Sequence, residues 1–200
     1  MEEAFKHFKR TDPILYKAAR VVEARLTPHK IKRTNLALFA SLSESVVSQQ
    51  LSVKAADTIY ARLKTACGGV VTPDSVLSTS LPKMRTAGLS AAKAKTLKEL
   101  AKAVRKGLVL SSLRAKSPEE ATEALIEIWG IGPWTAEMFL LFGLGHPDIF
   151  SPGDLGLIRS IETLYGVKNP SRATLEKITV RWSPHRSIAC RILWRYRDTV

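Results

Sequence analysis

Two hundred residues, 45% apolar and 24% charged, suffice for one well-buried globular unit or two small lobes sharing a cleft, and exclude disorder as the default. Lys plus Arg outnumber Asp plus Glu by 31 to 18, and the net charge of +13 calls for a polyanionic partner, nucleic acid before an anionic membrane surface. No stretch approaches the roughly 20 apolar residues of a spanning helix and Met1-Glu2-Glu3 lacks a secretory pattern, so the chain reads as soluble and intracellular. Cys67 and Cys190 can build neither a disulfide framework nor a four-Cys iron-sulfur cluster, and both read as core thiols.

Taken in chain order, caps and prolines open one apolar-periodic segment after another. Asp12-Pro13 predicts a helix over 12–26, followed by helices over 35–48 and 52–66. Pro73-Asp74 and the run from Ser80 to Pro82 are further helix starts, and helices follow over 90–106 and, after Ser117-Pro118, over 118–129. The remaining segments are 133–144, 154–165 behind Ser151-Pro152, 171–181, and 184–197 at Ser183-Pro184. Strand signals are nearly absent and no fixed repeat period exists, so the expected fold is all-α and compact. Gly68-Gly69 and Ser111-Ser112 are the expected loops.

Between the helices over 118–129 and 133–144 lies Ile128-Trp129-Gly130-Ile131-Gly132-Pro133-Trp134-Thr135-Ala136. Two glycines bracket one apolar residue, and a proline opens the next helix. Glycine lets the backbone approach a phosphate, while the amides at the start of the helix near Pro133 to Thr135 supply donors and a positive dipole end. Ile131 can pin the turn to the core. An ordinary helix-turn-helix corner would look the same.

About twenty residues downstream comes Phe150-Ser151-Pro152-Gly153-Asp154-Leu155-Gly156-Leu157-Ile158-Arg159. Asp154 falls at a helix start, where the dipole and nearby amides favour a negative side chain. Read alone, it is a helix cap that stabilises the turn; paired with the hairpin, it is the candidate catalytic carboxylate.

Together, the Gly-Ile-Gly-Pro-Trp-Thr-Ala hairpin and the Ser-Pro-Gly-Asp segment resemble the defining pair of the helix-hairpin-helix, Gly/Pro-Asp DNA glycosylase superfamily, and within it 3-methyladenine DNA glycosylase II. Three further segments carry the resemblance: Val46-Val47-Ser48-Gln49-Gln50-Leu51-Ser52-Val53-Lys54-Ala55-Ala56, Gly88-Leu89-Ser90-Ala91-Ala92-Lys93-Ala94, and Arg181-Trp182-Ser183-Pro184-His185-Arg186-Ser187 with Trp194. It spans roughly residues 12–197. Many members carry an additional N-terminal domain resembling a TATA-binding fold, for which this chain has no room, so residues 1–200 are expected to form one glycosylase unit.

The resemblance implies two helical lobes flanking a DNA-binding cleft, with the hairpin (Gly130, Ile131, Gly132, Thr135) holding the lesion strand's backbone. The damaged base is flipped out, and Asp154 drives hydrolysis of its N-glycosidic bond. Gln50, or its neighbour Gln49 or Leu51, would be the wedge that fills the gap; otherwise Leu51 is core and the glutamines cap a helix end. Ser90 and Lys93 are candidates for a second phosphate contact, and Lys93 reads equally as a solvated lysine.

Trp134, Trp182, His185 and Met138 are the expected base pocket, where an aromatic face on a cationic base gains roughly 0.5–2 kcal/mol. Trp194 reads as core. His185 and Met138 stand where aromatic residues are common in the subfamily, which makes the pocket less aromatic than usual. Bifunctional relatives carry a nucleophilic lysine in the hairpin where this chain has Trp134, so strand cleavage is not expected.

The implied activity is excision of 3-methyladenine and 7-methylguanine in base excision repair, by a monomer acting on double-stranded DNA. No cofactor is required, and a monovalent cation on the hairpin carbonyls is implied; His7, His29, His146 and His185 have no ligand spacing. The alternatives are a noncatalytic hairpin DNA-binding protein, a glycosylase for another damaged base, and a membrane-surface protein using the basic helix from Ala91 to Lys106, whose small alanine side chains make a poor anchor.

Overall fold

A computed structural model describes residues 1–27 and 31–199. His29, one of the four histidines, lies outside the described residues. The helices are α1 (Glu2–Thr11), α2 (Pro13–Val22), α3 (Asn35–Ser48), α4 (Val53–Ala66), α5 (Pro73–Ser78), α6 (Leu81–Thr86), α7 (Ala91–Arg105), α8 (Pro118–Ile126), α9 (Pro133–Met138), α10 (Leu155–Tyr165), α11 (Arg172–Thr179) and α12 (Arg186–Arg197). Short 3-10 segments cover Glu23–Arg25, Leu110–Ala115 and Val180–Trp182, and a π-helical segment, Phe139–Leu144, continues α9. Among the described residues there is no strand, and no helix is long and apolar enough to cross a membrane.

Most of the polar residues that punctuate the sequence act as caps; Ser183 instead donates to Asp148, and α12 starts at Arg186 with no side-chain cap. Side chains of Asp12, Thr34, Ser52, Thr72, Ser80, Ser90, Ser117, Asp154 and Ser171 each accept a hydrogen bond from an amide in the first turn of the helix that follows. Thr72 with Ser75 and Ser117 with Glu120 complete reciprocal capping boxes.

Three helices depart from the expected set. The α1 segment is charge-rich and its apolar content is thin, yet Ala4, Phe5 and Phe8 fall on one face and are buried. In α5 and α6 the starts were legible, but six residues are too few for an apolar period to register. The expected Ser111-Ser112 loop is a 3-10 segment.

The chain divides into two units, residues 1–30 with 146–200, and residues 31–145. In the discontinuous unit α2 and α10 pack on α12, and α1 packs on α2. Fully buried Phe8, Leu15, Ile161, Trp182 and Leu193 fill this unit. Asp12 is buried at its centre: Oδ1 accepts from the Leu15 amide (3.1 Å), while Oδ2 accepts from the Tyr165 hydroxyl (2.7 Å) and the Trp182 indole N–H (2.8 Å). Arg181 adds an ion pair at 3.4 Å. Burial, then the bond to Asp12, pushes the Tyr165 hydroxyl pKa well up, so it stays a donor.

The continuous unit is built around α3, which packs on α4, α7, α9 and the π-helical segment. Leu38, Phe39, Leu42, Leu63, Leu97, Leu100 and Phe139 form its interior. Cys67 and Cys190 are both buried, one in each unit.

Candidate functional site

In the 31–145 unit the hairpin joins α8 to α9. Ile131 is buried and anchors the turn, as its apolar position between glycines predicts. Gly130 has φ of +82°, and a Cβ there would lie 2.0 Å from Thr96 Oγ1, so both the backbone conformation and the approach of α7 require glycine. Gly132 is the N-cap residue of α9; it supplies no side-chain cap, Pro133 follows at the first helical position, and a Cβ on Gly132 would meet open space. An approachable helix start of this kind suits an anion.

The hairpin is tied to the end of α3. Gln49 Nε2 donates to the Gly130 carbonyl (3.1 Å) and to Thr135 Oγ1 (2.9 Å), and Lys93 Nζ donates to the carbonyls of Val47 (2.8 Å) and Gln49 (2.7 Å). Two expectations change as a result. Thr135, expected on DNA, is buried and receives Gln49; Lys93, expected on phosphate, has its ammonium engaged by two carbonyls, and burial pushes its pKa below the usual lysine range. Ser90 caps α7 through the Lys93 amide at 3.1 Å. Gln50 is exposed with φ of +53°, and Leu51 is exposed rather than core.

Of the pocket residues in this unit, Trp134 is half-buried and Met138 packs into the core. Trp129, one residue before Gly130, is exposed and carries the Lys95 ammonium 4.0 Å from its ring centroid. The hairpin motif singled out neither residue, although a tryptophan beside a tight glycine turn has little core to enter.

In the other unit, Asp154 caps α10 and is 9% exposed. Its Oδ1 accepts from the Leu157 amide (2.8 Å) and from Trp194 Nε1 (3.0 Å). Gly156 makes room for this pair, because a Cβ there would sit 3.0 Å from Asp154 Oδ1, 3.3 Å from Trp194 Cδ1 and 2.3 Å from an Arg197 guanidinium nitrogen. Trp194, expected as core, is half-buried and holds the carboxylate. No local pattern links residues forty apart, so this contact was invisible in the sequence.

Trp182, expected in the base pocket, is fully buried and donates to Asp12 instead. His185 is half-buried, its ring 5.3 Å and edge-on from that of His7. Burial first, and then His7, lower its pKa, which leaves the imidazole neutral at pH 7.

The segment leading to Asp154 is fixed to α12. Asp148 accepts from Arg186 Nε (2.8 Å) and a terminal guanidinium nitrogen (2.9 Å), from the Arg186 amide (3.1 Å) and from Ser183 Oγ (2.7 Å). Burial opposes its charge, but these donors outweigh burial and hold the carboxyl below the usual range. Among the described residues no group of three His, Cys, Asp or Glu side chains could hold a metal ion.

The family model described as "HhH-GPD superfamily base excision DNA repair protein" matches residues 43–185. The chain is 35% identical over 162 residues to DNA-3-methyladenine glycosylase 1 of Schizosaccharomyces pombe, covering 78% of this chain and 71% of that one. It is 28% identical over 235 aligned positions to the DNA-3-methyladenine glycosylase of Saccharomyces cerevisiae, covering 98% and 79%. A solved structure of the Schizosaccharomyces pombe 3-methyladenine DNA glycosylase in complex with abasic DNA superposes with a TM-score of 0.87 at 30% identity, covering 96% of this chain and 95% of that one.

Proposed function

Because the chain belongs to the HhH-GPD superfamily of base excision DNA repair proteins, we propose that it is a monofunctional DNA glycosylase that excises alkylated purines, 3-methyladenine and 7-methylguanine, from double-stranded DNA. What carries this reading is the Asp154 carboxylate, capped into α10 and held by the Trp194 indole. The hairpin at Gly130–Gly132 and the +13 net charge support the DNA partner.

Cleavage of the N-glycosidic bond sends the bonding pair to the purine and leaves positive charge on the sugar. A fixed carboxylate beside the anomeric carbon stabilises that charge, and such preorganised electrostatics is usually the largest catalytic contribution. A water oxygen then bonds to the anomeric carbon and releases its proton by way of the carboxylate. A purine methylated at N3 or N7 departs from a cationic state and becomes neutral as it leaves, so no acid is needed. The neutral His185 imidazole has no spare proton to give, which suits such a leaving group better than a neutral one such as hypoxanthine.

Trp134 in place of a hairpin lysine supports hydrolysis without a Schiff base. A monovalent cation would find only backbone carbonyls in the turn. Those of Ile128, Gly130 and Gly132 each already accept one hydrogen bond, from Ile131, Gln49 and Ala136, and retain a second lone pair. That donor set suits a weakly held monovalent ion, which would steady the turn where it meets phosphate.

Incubated as a monomer with methylated duplex, the protein is expected to release free 3-methyladenine and 7-methylguanine, leave the strand uncut, and give no borohydride-trapped adduct. Binding without release of either base would favour the noncatalytic or other-lesion reading. Trp194→Phe keeps the ring and removes the N–H on Asp154. It is expected to slow single-turnover release by roughly tenfold, the worth of one hydrogen bond to a charged group, with DNA affinity unchanged. An unchanged rate would show that the indole N–H does not orient the carboxylate.

A further inference from the structure

The end of α3 is held from two sides. The helix stops at Ser48, and the chain passes through Gln49, with φ −49° and ψ 125°, into Gln50. The φ of +53° at Gln50 is one that residues other than glycine rarely adopt, and Gln50 is exposed. Such a conformation persists only where its surroundings over-determine it. Here the surroundings are specific. The Lys93 ammonium, from the first turn of α7, takes the carbonyls of Val47 and Gln49 at 2.8 and 2.7 Å, groups that a helix end leaves without partners inside the helix. The side chain of the same Gln49 is fastened to Gly130 and Thr135 of the hairpin. Thr96, one turn along α7 from Lys93, is packed against Gly130 closely enough to exclude a Cβ. The α3 end, the start of α7 and the hairpin are thus tied through Gln49.

We propose that Lys93 and Gln49 are positioning residues for base extrusion: together they lock Gln50 in its left-handed conformation and fix it to the phosphate-gripping hairpin. This inference rests on the reading that the chain turns a damaged base out of duplex DNA with the exposed Gln50, rather than the hairpin-bound Gln49, as the side chain that fills the gap. Extrusion costs stacking and pairing energy, and a side chain wedged into the gap has to push against the stack. On a turn free to relax, that push would be absorbed by the backbone. With Lys93 and Gln49 in place, the wedge and the phosphate anchor act as one body, so grip on the strand is converted into opening of the stack.

A cap that merely stabilised the fold would slow the enzyme on every substrate. The positioning role predicts a difference between substrates, which Lys93→Met tests, since it keeps the stem length and removes the ammonium. Single-turnover release of the same methylated purine is compared when the purine is paired in duplex and when it sits unstacked in a bulge, alongside duplex affinity and Tm. Lys93→Met is expected to slow release from the paired lesion by roughly tenfold or more, the loss of one or more hydrogen bonds from a charged donor. Release from the bulge and affinity for undamaged duplex are expected to stay near wild type, and Lys93→Arg, which keeps charged donors, to recover much of the loss.

Equal slowing on both substrates, or none on either, would overturn the proposal. If Lys93→Met does not fold, Gln49→Ala, which removes the side-chain half of the tie, must show the same selectivity for the paired lesion or the proposal fails. Wild-type protein that released base from neither substrate would instead overturn the glycosylase reading, and the positioning role with it.

Discussion

Asp154→Asn is expected to bind duplex DNA like the wild type and to release methylated purine at least about 100-fold more slowly, the scale of loss seen when one preorganised electrostatic partner of a transition state is removed. The substitution is informative because so little else changes. Asn is as good an N-cap as Asp. Its Oδ1 can still accept from the Leu157 amide at 2.8 Å and from Trp194 Nε1 at 3.0 Å, so α10 and the indole keep their places. What disappears is the negative charge. Matched Tm and matched affinity for undamaged duplex, with single-turnover release as the readout, separate chemistry from folding and from grip. If Asp154→Asn released 3-methyladenine at a rate close to wild type, the carboxylate would be a helix cap and nothing more, and the catalytic group would have to be sought elsewhere.

The second large effect lies in stability. Asp12→Ala is expected to destabilise the protein by about 3 kcal/mol and to lower Tm by roughly 6–12 °C, because it strands buried donors around an ionic centre. The Leu15 amide, the Tyr165 hydroxyl and the Trp182 indole all lose their acceptor at once, and the Arg181 guanidinium loses its counter-charge. Asp12→Asn is expected to help only in part, since its amide group turns a donor toward the donors of Tyr165 and Trp182. Urea unfolding measures the cost. Base release per folded molecule, assayed well below the lowered Tm, should be unchanged. A fall in Tm of only a degree or two would mean that water satisfies these groups when the carboxylate is gone.

The residues that could be read in advance are those whose role is local. Caps such as Ser80 and Ser117, the glycines at 130 and 132, and Asp154 at its helix start each declare themselves within a few positions, because capping and tight turns are short-range chemistry. The helices over 35–48 and 52–66 followed from the same signals. Residues whose role depends on a distant partner do not declare it locally. Trp182 reads as an aromatic wall for a cationic base, but its indole N–H meets Asp12 170 residues away. Trp194 reads as core, but it holds Asp154. Lys93 reads as a phosphate contact or equally as a solvated lysine, but carbonyls 44 and 46 residues earlier take its ammonium. A sequence displays that a side chain can donate; the fold decides to whom.

The division of the chain also dictates an order of events during synthesis. Residues 31–145 form a continuous unit that can close as soon as it clears the ribosome, whereas α1 and α2 must wait for α10 and α12. At roughly 5–20 residues per second, that wait lasts on the order of ten seconds. Through that interval Phe5, Phe8 and Leu15 have no finished core to enter, and Asp12 has neither Tyr165 nor Trp182. Until then the nascent chain carries the uncovered apolar faces of α1 and α2, which makes this pair of helices the place where overproduction at high temperature is expected to be lost first to aggregation.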